Sequence, residues 1–550
     1  MKDVYLAAIL AADPFMEGAV TNQGTLLWPI TRAMATRPNA EAIVDGETRL
    51  TYAQWGRRVR GFTAGLRSLG LRTGDVVASI GQNSFRHLEC WVGIPAAGMV
   101  LNDLNYRLAV PELEFIINDC GARAIVADGA YFEVARQLKQ RCPSLEYLVY
   151  FGVESAPGGW VHWDDLCSAT PLDEEHSELR QIAADTLAAI SYTGGTTGPP
   201  KGVMQSHANL LANAKHMLLA NPLVPRDRFI HAAPMFHAAD AATTFAMTFV
   251  GGAHVCIGGY EPELFGRVVE TEKVTVALIV PTMINMLLNH PATANRDFSA
   301  WRLLMYGASP MPVDLLLRAC SLLPCDIVQL YGMTEASPLV TSTQRTDNRE
   351  GARGIDPAKS RLASCGQPVV GVEVEVRRHD GSVCKPREIG EVYVRGPNIM
   401  LGYWRRPEET ASALVGNGWY KSGDVAWADE EGYLFVVDRA KDMIISGGEN
   451  VYTTEVENAV FHHPAVLEVA VFGIPHESFG EMVHAEVVHK PGTSVTVDEI
   501  VAVCREHIGG FKVPRSVVIR SDPLPKSGAG KILKRSLRDP YWQGRNRGVN

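Results

Sequence analysis

The sequence predicts an α/β protein made of one large unit followed by a small α+β unit. Three observations carry that reading. Short apolar runs at residues 76–80, 124–126, 276–280, 303–306 and 327–331 alternate with helical patterns, as in parallel sheets covered by helices. From residue 366 the pattern turns strictly alternating, as in Val372-Glu373-Val374-Glu375-Val376, which reads as antiparallel strand with one wet face. After Asp438 it changes again, into helix, two strands and helix. We place the domain boundary there, giving residues 1–438 and 439–550; 550 residues are too many for one ordinary core.

Residues 1–30 show no strong periodicity and read as a segment that wraps the surface or meets a partner chain, such as a second copy in a homodimer. Residues 51–69 open with Thr51-Tyr52-Ala53-Gln54-Trp55 and predict an amphipathic helix, with Gly70 placed to end it. Gly74-Asp75 turns the chain into a buried strand at 76–80. A small-residue helix is expected at 91–100, another helix at 113–118 and a strand at 124–126. Further strands are expected at 229–232 and 253–257. Beyond 366, Asp380-Gly381 and Glu431-Gly432 supply turns between antiparallel strands. The last unit has helices at 452–462 and 497–507 around strands at 466–472 and 482–489.

Composition narrows the function. Apolar residues make up 46% and the net charge is −9, which argues against nucleic acid as a partner. Ten cysteines form no Cys-x-x-Cys pair, so neither a zinc knuckle nor a dithiol redox site is indicated, and reduced thiols in a cytoplasm are expected. Residues 4–12 are apolar but lack the layout of a signal peptide. The most apolar stretch, 239–260, is broken by Asp240, His254 and paired glycines, so no transmembrane span is expected.

The chemistry gathers around Tyr192-Thr193-Gly194-Gly195-Thr196-Thr197-Gly198-Pro199-Pro200-Lys201-Gly202. Glycines let backbone N–H groups approach an anion, threonine hydroxyls add donors, and Lys201 adds a compact charge suited to a polyphosphate. A flexible surface turn is the other reading, and the Walker A order of residues is absent. Downstream, Tyr331-Gly332-Met333-Thr334-Glu335 ends an apolar strand with a carboxylate of the kind magnesium takes beside substrate phosphates. Ser422-Gly423-Asp424 reads as a tight turn, and Gly307-Ala308-Ser309 as a strand-to-helix turn. Pro234-Met235-Phe236-His237 precedes a helix. Pro523-Leu524-Pro525-Lys526-Ser527-Gly528-Ala529-Gly530-Lys531 puts a lysine on a glycine-rich loop.

Taken in chain order, the motifs over residues 192–533 resemble those of the adenylate-forming superfamily, the acyl-CoA synthetase family of AMP-dependent ligases. The resemblance implies two α/β subdomains and a β-rich subdomain in the large unit, with a small mobile lid after it. It implies ATP, magnesium and coenzyme A, and a small-molecule carboxylic acid (fatty, aryl or alicyclic) as substrate. Adenylation feeding another acceptor, such as a carrier-protein thiol, is the alternative. The implied catalytic residues are Lys531, Thr193, Glu335 and His237, with Glu335 at the metal. The implied nucleotide and coenzyme contacts are Thr193, Gly194, Gly195, Thr196, Thr197, Lys201, Gly307, Ala308, Ser309, Tyr331, Gly332, Thr334, Asp424, Arg439, Gly447, Gly448 and Glu449. The acyl pocket is expected at His237, Asp240, Ala241, Phe245, Tyr306, Gly307, Gly332, Met333 and Pro338. Lys441 falls at the implied hinge.

Overall fold

The structure, a computed structural model, describes residues 24–152, 155–168, 182–193, 200–356, 358–439, 441–526 and 532–543. Four sheets organise them. In the first, the strands Val100–Asp103, Val76–Ile80, Ala124–Asp128 and Tyr147–Phe151 run parallel. The fully buried pattern of the two central ones, Val76–Ile80 and Val100–Asp103, is what a sheet covered on both faces requires. One flank carries the antiparallel hairpin of Leu187–Thr193 and Lys201–Ser206, whose last pair is Thr193 with Lys201. The second sheet sets Ala253–Cys256, Arg228–His231, Val276–Ile279, Leu303–Tyr306 and Asp326–Gly332 in parallel register, then turns antiparallel at Leu339–Ser342.

The third sheet is antiparallel, built on Glu373–Arg377, Gly390–Arg395, Trp419–Ala428 and Leu434–Arg439. The fourth holds Ile444–Ser446, Glu449–Val451, Val466–His476, Gly480–His489 and Ser516–Arg520. One apolar cluster runs from Leu26 through both large sheets to Val392, Ala426 and Leu434 of the third. The fourth sheet has its own cores, one drawn from Ile444 to Val513 and a second around Phe472, Leu524 and Leu537. The chain is thus α/β, with a large N-terminal part and a small C-terminal one.

Local chemistry explains most elements. The helix Tyr52–Ser68 starts with a reciprocal capping box between Thr51 and Gln54. Gly61 and Gly65 on it allow close approach to the helix Trp163–Cys167, since a Cβ at Gly61 would sit 1.9 Å from the Cys167 carbonyl oxygen. The helix expected at 91–100 instead spans Phe85–Ala96, because the Ser84 hydroxyl accepts from the His87 N–H and caps it earlier. Val100 then begins a strand. Among the described residues no helix is long and apolar enough to cross a membrane.

Candidate active site

The first half of the site lies where the second and third sheets meet. The strand Asp326–Gly332 ends at Gly332, where a Cβ would lie 1.8 Å from the Pro338 carbonyl oxygen, so only glycine lets the chain fold back there. The Met333 N–H donates to that oxygen at 3.0 Å, and a short 3₁₀ turn, Thr334–Ala336, follows. Gly307 also packs tightly on the same strand, with Leu330 O 2.5 Å from where its Cβ would be, and Ala308 is held at φ 67° before Ser309.

Ser422-Gly423-Asp424 is not the tight turn expected from its residues. It is a bulge inside the continuous strand Trp419–Ala428, with Lys421 paired to Tyr393 and Val425 to Glu391. Gly423 takes φ 74° and the Ser422 hydroxyl donates to the Val392 carbonyl at 2.7 Å, so the extra residues re-aim Asp424. The Tyr331 hydroxyl donates to Asp424 Oδ2 at 2.7 Å, and Arg439 Nε lies 3.3 Å from Oδ1. Asp424 and Arg439 also face each other in register. Burial, with Asp424 adjacent, raises the Tyr331 phenol far above its ordinary range, so it stays a donor.

Glu335 is held from the opposite side. Tyr403 donates to Glu335 Oε1 at 3.0 Å, and Lys201 Nζ stands 5.1 Å from the Tyr403 ring centroid. Tyr403 pairs with Val203 on the strand that Lys201 opens. Burial raises the Glu335 carboxyl above its usual range, while Tyr403 and Arg439 pull it down. Gln205 binds the hairpin to the same turn, donating to Thr334 O at 3.1 Å and Ser337 Oγ at 3.2 Å. Sequence reasoning missed Tyr403 and Gln205. Gln205 left no signal, because its strand, Lys201–Ser206, mixes polar and apolar residues.

The structure therefore brings Lys201, Tyr331, Glu335, Asp424 and Arg439 together through direct contacts and shared neighbours, with Thr193 paired to Lys201 on the adjacent strand. Gly194, Gly195, Thr196, Thr197 and Lys531 lie outside the described residues. The ends of the segment carrying Lys531 meet in a bridge between Lys526 and Ile532, with Lys526 also paired to Glu468.

On the acyl side, His237 precedes the helix Ala238–Val250 and packs its ring 4.5 Å from that of Phe236. Phe236 in turn meets Tyr106 edge-on at 5.2 Å. Burial pulls the His237 imidazole down to about 4, and its buried Nε2 has no protein partner. Asp240, expected in the pocket, joins a buried chain through Oδ1, while its Oδ2 has no protein partner among the described residues. It accepts from His231 Nδ1 at 2.8 Å, His231 Nε2 meets His254 Nδ1 at 2.9 Å, and Thr248 bonds His254 at 3.1 Å. Ala241 and Phe245 pack into the core, Phe245 edge-on to Trp91 at 6.5 Å. Tyr306 is buried with its hydroxyl on Gln329, while Met333 and Pro338 stay half-buried beside Gly332.

In the small part, Gly447 and Gly448 form the two-residue turn between Ile444–Ser446 and Glu449–Val451, both with positive φ (63° and 87°). Such a turn follows the strands' own twist and calls for glycine. Gly447, Gly448 and Glu449 are exposed. Burial and the neighbouring Arg439 hold the Lys441 ammonium below the usual lysine range, against the pull of Asp442, Asp424 and Glu335.

Comparisons with known proteins follow this division. A model of AMP-binding enzymes matches residues 30–404, and one of the AMP-binding enzyme C-terminal domain matches residues 455–531. The chain is 39% identical to a feruloyl-CoA synthase of an Amycolatopsis species, over 94% of this chain and 99% of that one. It is 32% identical to a medium/long-chain-fatty-acid–CoA ligase of Mycobacterium tuberculosis, over 96% and 92%. Among solved structures, an anthranilate CoA ligase in complex with anthranoyl-AMP superposes with TM-score 0.85 at 25% identity, covering 94% of this chain and 97% of that one.

Proposed function

From the premise that this chain belongs to the AMP-binding enzyme family and is an ATP-dependent acyl-CoA ligase, we propose that its acid is aromatic. The observation that carries this is His237. A neutral imidazole with an unpartnered buried Nε2, set against the Phe236 ring that Tyr106 meets from its other side, suits a flat acid with a polar substituent or carbonyl at that atom. The relatives include enzymes named for aromatic acids, feruloyl and anthranilate, and this reading takes the same class for this chain.

The reaction joins the acid to coenzyme A in two steps. A carboxylate oxygen attacks the α-phosphorus of ATP and pyrophosphate leaves; the thiol then attacks the acyl carbonyl and AMP leaves. In our assignment Asp424 and Arg439 grip the ribose, Tyr331 holds Asp424 and stacks by the base, and Lys201 and Thr193 flank the phosphates. Lys531 neutralises the approach of carboxylate to phosphate, which would otherwise repel. Magnesium suits a position with one carboxylate, because its remaining ligands come from substrate phosphates and water. Among the described residues no cluster of three acidic, histidine or cysteine side chains competes for it. Glu335 would hold the ion beside Thr334, and when bound the ion supplies charge neutralisation on the triphosphate. Gly447, Gly448 and Glu449 line the route of the thiol, with Lys441 at the hinge. The carrier-protein alternative gains no support from the geometry.

A panel of acids in a pyrophosphate-release assay tests the aromatic assignment. Substituted benzoic and cinnamic acids should exceed octanoate and palmitate in kcat/KM by about tenfold or more. Equal or better turnover of the aliphatic acids would reverse it.

A further inference from the structure

Lys534 is bonded on two sides inside the small part, and the reading above gives it no role. It opens the short helix Lys534–Arg538 of the small part. Its Nζ lies 2.7 Å from Glu457 Oε1 and donates to Thr453 Oγ1 at 2.6 Å. Thr453, fully buried, donates its hydroxyl to Asp438 Oδ1 at 3.2 Å and its N–H to Oδ2 at 2.6 Å. Asp438 belongs to the third sheet and is only 6% exposed. Its Oδ1 also accepts from the N–H of Arg439 at 2.7 Å.

These bonds make one unbroken path. It begins in the small part at Lys534, crosses to the third sheet at Asp438 and ends at Arg439, whose guanidinium meets Asp424. We propose that Lys534 is a positioning residue for the nucleotide, acting through Thr453 and Asp438 to fix the backbone that presents Arg439 to Asp424. The inference rests on the ribose assignment of that pair.

The charge balance explains why a cation is needed at this point. Asp438 and Glu457 are two carboxyls in one poorly solvated place, and burial pushes both above their ordinary range. Lys534 is the cation that offsets them, and together they hold its ammonium above the usual lysine range despite burial. Without it, the buried Asp438 and the half-buried Glu457 would be left close together and uncompensated, and Asp438 would have to take up a proton or turn away. Either change loosens its grip on the Arg439 N–H.

AMP affinity measured by titration calorimetry tests this without depending on the acid. Lys534→Met should weaken AMP binding by about tenfold, and Lys534→Arg should restore it to within about threefold of wild type. Thr453→Val, which removes one link of the path but keeps the shape and both backbone bonds, should weaken it by about threefold. That variant decides the matter if Lys534→Met does not fold. A merely structural lysine would lower the melting midpoint and the active fraction but leave the affinity of the folded protein alone. Unchanged AMP affinity in folded Lys534→Met or Thr453→Val, or an arginine variant no tighter than the methionine one, overturns the proposal. A failure of the acid panel would count against the aromatic reading and leave the AMP comparison standing.

Discussion

On our assignment, the nucleotide side and the thiol side of this enzyme are built in opposite ways. On the nucleotide side Tyr331, Asp424 and Arg439 are already bonded to one another, and Glu335 to Tyr403, with strands from two sheets fixing the backbone beneath them. On the thiol side, the Gly447–Gly448 turn and Glu449 stand exposed at the tip of a two-residue hairpin. The difference teaches where the binding energy goes. Holding a charged triphosphate for in-line attack rewards side chains set in advance. A thiol arriving after pyrophosphate has left needs a face that can be brought up late, and an exposed turn on a separate core suits that.

The sharpest break in the comparison comes from Glu335→Gln. It keeps the shape and the Tyr403 contact but removes the charge that a magnesium ion would need. Adenylation should fall by about a hundredfold or more, in line with loss of a charged group at a phosphoryl site. Thioester formation from supplied acyl-adenylate should change far less. A variant within about threefold of wild type in adenylation would remove Glu335 from the metal.

Gly448→Val probes the opposite side. At φ 87° a β-branched residue is strained, yet a Cβ there would meet nothing within 4 Å, so the perturbation is confined to the backbone of the turn. Rapid-quench timing should show the thioester step slowed by about fivefold, with pyrophosphate formation unaltered. Equal slowing of both steps would erase the division between the two sides.

The smallest effect should fall on both regions alike. His207 in the large part and His484 in the small part are fully buried, and burial draws each imidazole down to about 4. Unfolded, both titrate near 6.5, so the unfolded chain binds more protons between those values. Their contribution to stability is complete above that window and declines as pH falls from 6.5 towards 4. The melting midpoint should be lower by a few degrees near pH 5 than near pH 7. A midpoint that is flat or rises on acidification would show these imidazoles to be protonated in the fold.

Much of this was legible in the sequence because the signals are local. The helix opening at Thr51 and the strand at 76–80 each depend on neighbours within a few residues. Asp424 was singled out with the wrong backbone around it. A bulge is defined by the partner strand, and nothing near Gly423 distinguishes it from a turn. Tyr403 was missed because its task is set by Glu335, 68 residues earlier in the chain. The chain from Asp240 through His231 to His254 was not legible because the two histidines come from separate strands of the second sheet. Lys534 escaped for the same reason: its partners lie on another helix and across the boundary at Asp438.

The most direct test of the account is exchange of labelled pyrophosphate into ATP with an aromatic acid present and coenzyme A absent. An acyl-adenylate formed before the thiol arrives predicts rapid exchange that needs the acid and ATP and does not need coenzyme A. Exchange that requires coenzyme A, or turnover that yields ADP and phosphate in place of AMP and pyrophosphate, would contradict it.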